Sequence, residues 1–363
     1  MPTKPLVLTI FLLALGSLLS ACVGGAGVAS SWPGLSTDQD TAYLAYNSQV
    51  YAIDLASGRE IWRFPQEANR NMTFYATPVL SPDGQLVVGS YDNNLYSINP
   101  QTGGQNWKFE GAQKRYIGSP LVVEQGIFAP NADKHLYALE LDGNLRWTFA
   151  TQGELWAPPV TNGDGDCDCI FLPSMDHHIY ALNIEDGRLV WQSEDLGGAI
   201  VGTPALDENG VLYVGTFGSE VIALDSQNGV ILWRSTTEGW IWSGLTLAED
   251  TLYIGDLKGY FYAINRTSGE KLWQLTPEQL DGPIPGSPLV VENTIYLTSE
   301  SGTLYMVDLQ GNVRPPQPIG GKLYAPPILA NELILVTPIR NDQFLVALTK
   351  DGVSRWTYPL AEK

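Results

Sequence analysis

Short apolar runs alternate with polar turns along almost the whole chain. A representative stretch contains apolar runs at 201–206, 211–215 and 222–225, each four to six residues long and separated by turns rich in Gly, Asn or Asp. Runs of this length bounded by turn residues are typical of β-strands and too short for helices. The pattern predicts many short antiparallel strands joined by tight turns.

A larger repeat is superimposed on this alternation. An apolar strand is followed by a turn that contains Gly, and Trp stands four residues after that Gly. The motif occurs with Trp62, Trp107, Trp147, Trp191, Trp233, Trp273 and Trp356, and an eighth copy has Pro315 in place of Trp. From Trp62 to Trp356 the chain advances 294 residues in seven steps, a mean period of 42. Units of about 40 to 50 residues with four strands each predict the blades of a β-propeller.

The predicted fold is therefore all-β, an eight-bladed β-propeller of four-stranded antiparallel blades. Each blade has two apolar faces that stacking in a ring would bury, and the seven tryptophans are predicted to dock neighbouring blades onto one another. We predict that the propeller spans residues 37–358 and that a tail follows at 359–363. The first unit is short upstream of Thr41, so we expect Ser31 and Trp32 to supply its innermost strand, while the sequence leaves the closure of the ring open.

The first 22 residues resemble a bacterial lipoprotein signal. Lys4 precedes an apolar run from Leu6 to about Leu19, and Leu19-Ser20-Ala21-Cys22 resembles the lipobox. The run is shorter than the roughly 20 residues that span a bilayer. The resemblance implies a signal peptide over 1–21, lipidation of Cys22 and a lipidated flexible tether over 22–36. The alternative is an ordinary secretory signal that happens to precede a cysteine.

Charge narrows the classes of partner. The chain has 20 Lys and Arg against 39 Asp and Glu, a formal net charge of −19. Such a field repels polyphosphate backbones, so no nucleic-acid partner is expected. Hydrophobic residues make up 44% of the chain, enough to bury a large core and to exclude global disorder.

The repeat also resembles a known family. The pattern Ala-x-[Asp/Asn]-x-x-x-Gly-x-x-x-Trp, complete in the copies that end at Trp62, Trp191, Trp233 and Trp273, is similar to the tryptophan-docking motif of pyrroloquinoline-quinone (PQQ) repeat propellers. That family includes quinoprotein dehydrogenases and the propeller lipoprotein of the outer-membrane β-barrel assembly machine.

The resemblance implies two classes of function. The first is a non-catalytic, membrane-anchored scaffold on the cell surface or the periplasmic face of the envelope. As a monomeric propeller it would bind envelope proteins or peptides, possess no catalytic residues and take part in outer-membrane protein assembly. The second is a PQQ- and calcium-dependent alcohol or sugar dehydrogenase. The chain lacks the adjacent cysteine pair of those enzymes, and its short blades leave little room for their insertions. We therefore expect a scaffold without a cofactor.

One loop has the residue types of a calcium site. Four oxygen-bearing side chains alternate along it: Asn162, Asp164, Asp166 and Asp168. Oxygen ligands of this kind suit calcium, although the loop departs from the EF-hand pattern. The alternative is an acidic, Gly-rich hairpin tip. Cys167 and Cys169 in the same loop either form a disulfide or remain free.

A second set of residues precedes the innermost strands. Aligning those strands places Tyr75, Trp156, Trp242 and Tyr324 at equivalent positions, with Tyr116 and Trp240 beside them and Arg115 nearby. Innermost strands line the channel of a propeller, so the pattern predicts aromatic side chains around one mouth. Exposed aromatics with Arg are typical of protein interfaces, and we predict a partner-binding site there. The alternative is that these side chains fill the channel and pack the blades.

Overall fold

The computed structural model describes residues 32–162 and 168–360. Within these residues it contains 34 strands and no helix, arranged as eight four-stranded antiparallel sheets and one two-stranded sheet. This confirms the predicted eight-bladed propeller. The predicted signal peptide, Cys22 and most of the predicted tether and C-terminal tail lie outside the described residues. No helix in the described part of the chain is long and apolar enough to cross a membrane.

The blades follow one another in chain order. The strands of the first four blades are β1 Gly34–Thr37, β2 Thr41–Tyr46, β3 Gln49–Asp54 and β4 Glu60–Phe64; β5 Val79–Leu80, β6 Leu86–Gly89, β7 Leu95–Ile98 and β8 Gln105–Phe109; β9 Leu121–Val123, β10 Gly126–Pro130, β11 His135–Leu139 and β12 Leu145–Ala150; β13 Val160–Thr161, β14 Cys169–Pro173, β15 Ile179–Asn183 and β16 Leu189–Gln192.

The last four blades repeat this plan with one addition. Their strands are β17 Ala205–Leu206, β18 Val211–Thr216, β19 Glu220–Asp225 and β20 Ile231–Thr236; β21 Thr246–Ala248, β22 Thr251–Gly255, β23 Phe261–Asn265 and β24 Lys271–Leu275; β25 Leu289–Val291, β26 Thr294–Thr298, β27 Thr303–Asp308 and β28 Gln317–Pro318; β30 Ile328–Ala330, β31 Leu333–Val336, β33 Leu345–Thr349 and β34 Ser354–Tyr358. The addition is a two-stranded sheet of β29 Lys322–Leu323 and β32 Pro338–Ile339 beside the eighth blade.

Each blade is a meander in which the strands pair in the order of the chain. The residue opposite the repeat Trp is small: Ala52 pairs with Trp62, and Ser97 pairs with Trp107. The register shifts directly after this small residue in every blade that carries the Trp. The Ala of the motif thus marks the position where the outer strand bulges and carries its indole.

The core lies between blades. Tyr43 and Val50 of the first blade pack with Phe74 and Val88 of the second, all of them less than 2% exposed. Every blade shares such a cluster with the next, so the apolar faces that the alternation predicted are buried pairwise around the ring.

The repeat tryptophans lie across these seams. Each indole rests on the turn Gly of the following blade, where an added Cβ would lie 2.5–3.1 Å from the nearest ring carbon. Each indole N–H donates to a carbonyl of the same turn at 2.8–3.1 Å, as Trp62 does to Pro100. The turn needs Gly for two reasons, because Gly103 has φ +71° and because the ring leaves no space for a side chain.

The ring closes by the same contact. Trp356 of the eighth blade rests on Gly58 of the first and donates to the Leu55 carbonyl at 2.9 Å. The Tyr358 hydroxyl donates to the Glu60 carboxylate across the same seam. Since β1 comes entirely from the N-terminal end and the eighth blade entirely from the C-terminal end, no strand is exchanged to close the ring.

The first blade differs from the prediction in its starting point. β1 begins at Gly34, so the innermost strand is Gly34–Thr37; Trp32 precedes it, and Ser31 lies outside the described residues. The strand starts there because Leu35 packs in the seam with the eighth blade. The predicted boundary between tether and propeller therefore moves from residue 37 to about residue 34, and Trp32 is left just ahead of the strand.

Candidate binding site at the channel mouth

Chain direction decides which loops share an end of the channel. In each antiparallel meander, the loop that enters the innermost strand and the turn between the second and third strands lie on one face, which we call the mouth face. The turns that carry the docking glycines lie on the opposite face. Tyr75, Trp156, Trp242 and Tyr324 all precede innermost strands and therefore belong to the mouth face.

Aromatic rings close the channel at this face. The Trp32 ring centroid lies 5.6 Å from that of Tyr75, 5.1 Å from Trp242 and 6.1 Å from Tyr324. Trp156 meets Trp242 at 6.5 Å and donates its indole N–H to Glu154 at 2.9 Å. We call these five side chains the aromatic plug. The structure thus brings four of the predicted residues together around Trp32, which the prediction did not include.

The space left inside the plug is small. A cavity of about 150 Å³ remains among Trp32, Trp156, Trp242, Ile117 and Val201. Clefts that hold small-molecule ligands usually enclose about 300 to 1,000 Å³. The five plug side chains are half-buried, which agrees with the alternative that they fill the channel. The cavity does not fit a quinone-sized cofactor.

Exposed surface begins at the rim of the plug. Trp240 is 58% exposed, and its ring stacks on Phe217 at 5.5 Å with an interplanar angle of 16°. Phe217 stacks in turn on Trp242 at 5.7 Å and 27°. A cavity of about 290 Å³ lies beside Trp240, and Glu238 and Lys258 are among its lining residues. Trp240 is therefore an exposed indole held in place by the plug.

A second exposed group lies on the rim near the second and third blades. The Arg115 guanidinium carbon lies 5.0 Å from the ring centroid of Tyr91, and Tyr91 stacks on Tyr75 at 4.1 Å. Burial raises the pKa of Tyr91 to about 12, so its ring remains a neutral platform for the cation. The Arg115 side chain is exposed, and among the described ion pairs it takes part in none.

On the Tyr324 side of the plug, the charged groups are paired with one another. The Tyr324 hydroxyl donates to Glu300 at 2.8 Å, and the Lys322 ammonium pairs with the same carboxylate. The Lys322 hydrogen bond, with the help of Tyr324, holds the pKa of Glu300 below its ordinary value. The three side chains satisfy one another, whereas Arg115 and Trp240 remain exposed at the rim.

Tyr116 is not at the mouth. It is fully buried in the core between the second and third blades and packs on Gly89, where an added Cβ would lie 2.4 Å from the Tyr116 Cβ. Successive side chains of an extended segment point in opposite directions, so Ile117 faces the channel and Tyr116 faces the seam. We therefore correct the prediction and remove Tyr116 from the candidate binding residues.

The sequence analysis missed Trp32, Tyr91 and Phe217. Trp32 stands three residues before Leu35, as Trp242 stands three residues before Leu245. Tyr91 stands two residues after Gly89, and Phe217 stands two residues after Gly215. An alignment of these turns would have shown that two blades place an aromatic ring beside the plug.

The predicted calcium loop is described only in part. Asp164, Asp166 and Cys167 are outside the described residues, and the Asn162 amide oxygen accepts the N–H of Cys169 at 3.0 Å. Cys169 is buried and disulfide-bonded. Among residues 32–162 and 168–360, no group of three or more His, Cys, Asp or Glu side chains could hold a metal ion. Calcium binding by the loop stays a prediction.

The ring as a whole is similar to known proteins. A family model described as outer membrane protein assembly factor BamB matches residues 46–163 and 175–322. The BamB protein of Francisella salina is 28% identical over 138 residues, which cover 35% of this chain and 25% of that protein. The serine/threonine-protein kinase AfsK of Streptomyces coelicolor is 38% identical over 175 residues, which cover 48% of this chain and 20% of the kinase.

The crystal structure of BamB from Moraxella catarrhalis superposes with a TM-score of 0.70 at 20% identity, covering 88% of this chain and 94% of that one. At this identity the superposition shows the shared fold. The sequence matches to the two curated relatives extend over a quarter or less of those proteins. Because the family model matches well over half of the residues of this chain, the chain belongs to the family of outer membrane protein assembly factor BamB.

Proposed function

We propose that this protein is a non-catalytic scaffold, anchored to a membrane by lipid at Cys22, that binds protein partners and takes part in outer-membrane protein assembly. Membership of the BamB family supports the assembly role. The exposed and braced indole of Trp240 carries the proposal of partner binding at the mouth face.

The rim has the chemistry of a protein interface. Trp and Arg are enriched among the residues that dominate binding energy, because a large rigid ring or a planar cation buries much surface at little entropic cost. Trp240 meets this requirement because its stack on Phe217 fixes the ring before a partner arrives. Arg115, held over Tyr91, offers a cation that a carboxylate of the partner could pair with.

The plug and the rim have different roles in the proposed binding. Trp32, Trp156 and Trp242 contact one another or share neighbours, so they form the platform rather than the contact surface. The partner would then meet Trp240 and Arg115 and leave the plug intact. This refines the site to the rim, with a protein or peptide of the envelope as its ligand.

The proposal requires no cofactor. The plug cavity of about 150 Å³ is too small for PQQ, and the mouth offers no set of carboxylates for calcium among the described residues. The rim therefore favours binding over oxidation chemistry.

Photo-cross-linking in native membranes tests the proposal. A benzophenone amino acid at position 240 probes the rim, and the same residue at Leu272, which is 54% exposed on the outer strand β24, serves as the control. We expect a discrete adduct from position 240 that contains a component of outer-membrane protein assembly, and none from position 272. An adduct from 272 alone would move the binding surface away from the mouth face.

The Trp240→Ala variant tests the contribution of this indole to the affinity for the partner. Truncation of an interface Trp of this kind costs about 2 kcal/mol or more, which corresponds to about thirtyfold in Kd. Because Trp240 is mostly exposed, we expect the melting temperature to remain close to that of the wild type. A variant that captures the partner as well as the wild type does would contradict the role of Trp240.

A further inference from the structure

One seam of the ring lacks its indole. In the seam between the seventh and eighth blades, Pro315 stands at the position that Trp occupies in the other seven copies. The turn of the eighth blade nevertheless keeps Gly352 with φ +82°. The atoms nearest to an added Cβ at Gly352 are Cγ of Gln317 at 2.6 Å and Cε of Met306 at 3.1 Å.

The outer strand of the seventh blade is also reduced. β28 contains two residues, whereas the outer strands of the other blades contain four to six. Pro315 and Pro316 have no backbone N–H, so they cannot continue the ladder along β27. An isolated bridge between Val307 and Val313 and the bond from Arg314 N–H to the Met306 carbonyl precede them.

An open groove lies at this seam. It has a volume of about 410 Å³ and lies between β28 and the face formed by β33, β34 and their turn. Its apolar surface comes from Ile319, Val346, Leu348 and Val353. Its polar surface comes from Gln317, Gln343, Asp351, Ser354 and Thr357. The volume falls within the range of about 300 to 1,000 Å³ that is common for ligand clefts.

The groove also retains a hydrogen-bond acceptor for an indole. In the other seams the indole N–H donates to a carbonyl of the turn that holds the docking Gly. The corresponding carbonyl here belongs to Lys350, and it accepts the Tyr296 hydroxyl at 2.7 Å. A carbonyl oxygen has two lone pairs, so Lys350 can accept a second donor.

We propose that this groove binds a tryptophan side chain presented by an extended segment of a protein partner. The occupant follows from the seven other seams, where the same turn, glycine and carbonyl receive an indole from a β-strand. Gln317 covers the glycine in this structure, and Met306 stands where the other blades have a small residue, so the proposed binding requires these two flexible side chains to shift. The site is separate from the mouth rim and does not depend on the function proposed for it.

The chain itself supplies a probe for this site. The segment 269–276, with the sequence GEKLWQLT, contains β24 and delivers Trp273 to the seam between the sixth and seventh blades. A fluorescein-labelled peptide of this sequence is titrated with the purified full chain and followed by anisotropy. The same peptide with Ala in place of Trp is the matched control, and we expect it to bind at least about tenfold more weakly.

Two arginine variants locate the binding. Val353 borders the groove and is 62% exposed, and Val230 follows Gly229 as Val353 follows Gly352 and is 58% exposed. Val353→Arg places a charge in the open seam and should weaken the Trp peptide about tenfold, while Val230→Arg leaves it unchanged. Both positions are on the surface, so equal melting temperatures of the two variants verify that neither is unfolded.

A third variant fills the groove from within. Pro315→Trp restores the motif and should lower the affinity for the peptide, since the indole of the chain then competes for the groove.

Equal binding of the Trp and Ala peptides, or equal effects of Val353→Arg and Val230→Arg, would overturn the proposal. Self-association of the protein that Val353→Arg abolishes would also overturn it, because the occupant would then be a second copy.

Discussion

The docking contact between Trp62 and Gly103 can be tested by a pair of glycine substitutions. Gly103→Ala adds a methyl group at φ +71° that would lie 2.8 Å from two carbons of the Trp62 ring. Gly84→Ala adds the same group at φ +80°, where nothing lies within 4 Å. The two substitutions share the cost of a left-handed alanine, and only the first disturbs an indole.

The expected costs can be separated. The left-handed conformation costs an alanine about 1–2 kcal/mol, which is the whole effect expected for Gly84→Ala. Forcing a methyl group against a packed ring adds about 1–3 kcal/mol for Gly103→Ala. Trp62 is only 6% exposed, so Trp62→Ala should cost about 3–5 kcal/mol. In the double variant the clash is gone, because the ring is absent.

Equilibrium unfolding in urea measures these free energies for the wild type, the three single variants and two double variants, Trp62→Ala with Gly103→Ala and Trp62→Ala with Gly84→Ala. We expect the double variant to be about 1–3 kcal/mol more stable than the sum of its single costs predicts. The pair Trp62→Ala with Gly84→Ala should be additive, because these sites do not touch. Additivity within about 0.5 kcal/mol for Gly103 as well would refute the docking argument.

Three further predictions concern other parts of the molecule. Burial raises the pKa of Glu60, but hydrogen bonds from Arg63 and Tyr358 outweigh burial and hold this pKa below its usual value. The ionised carboxylate therefore stabilises the closing seam above about pH 4.3, and this stabilisation is lost as the pH falls. Melting followed by circular dichroism should show a larger loss between pH 5 and pH 3 for the wild type than for Glu60→Gln. Cys22→Ser should release the protein from the membrane fraction and abolish labelling by radioactive palmitate, whereas retention and labelling of that variant would contradict lipidation at Cys22. The purified protein incubated with PQQ and calcium should show no quinone spectrum and no dye-linked alcohol oxidation, and a positive signal would favour the dehydrogenase over the scaffold.

The architecture was accessible from the sequence because the ring is built from repeated local rules. A Gly at the turn, a Trp four residues later and a small residue opposite that Trp are all short-range features, and seven copies made them visible. The contact that joins Trp356 to Leu55 spans almost the whole chain, yet it obeys the same rule as Trp62 with Pro100. Long-range closure was thus implied by a local motif.

The candidate site was less accessible because it depends on contacts across the channel. Alignment selected the plug positions but could not show that Trp32 of the first blade meets Trp242 of the sixth. It also assigned Tyr116 to the mouth, because sequence proximity does not distinguish the two directions in which neighbouring side chains of an extended segment point. The sequence places Trp240 beside the plug positions, but the exposure of its indole and its stack on Phe217 needed the structure.

The open groove between the seventh and eighth blades is compatible with a closed ring because docking is only one part of each seam. Below the groove, Met306 and Leu304 of the seventh blade pack with Ile334 and Val336 of the eighth, and all four are at most 3% exposed. The other face of the eighth blade packs on the first blade, through Trp356 and through a separate buried cluster that these two blades share. The loss of one indole, worth about 3–5 kcal/mol where it is buried, therefore opens the outer part of a seam without releasing the blade. A closed propeller can therefore tolerate one seam without its indole, and in this seam Gln317 and Met306 lie over the docking glycine beside the groove.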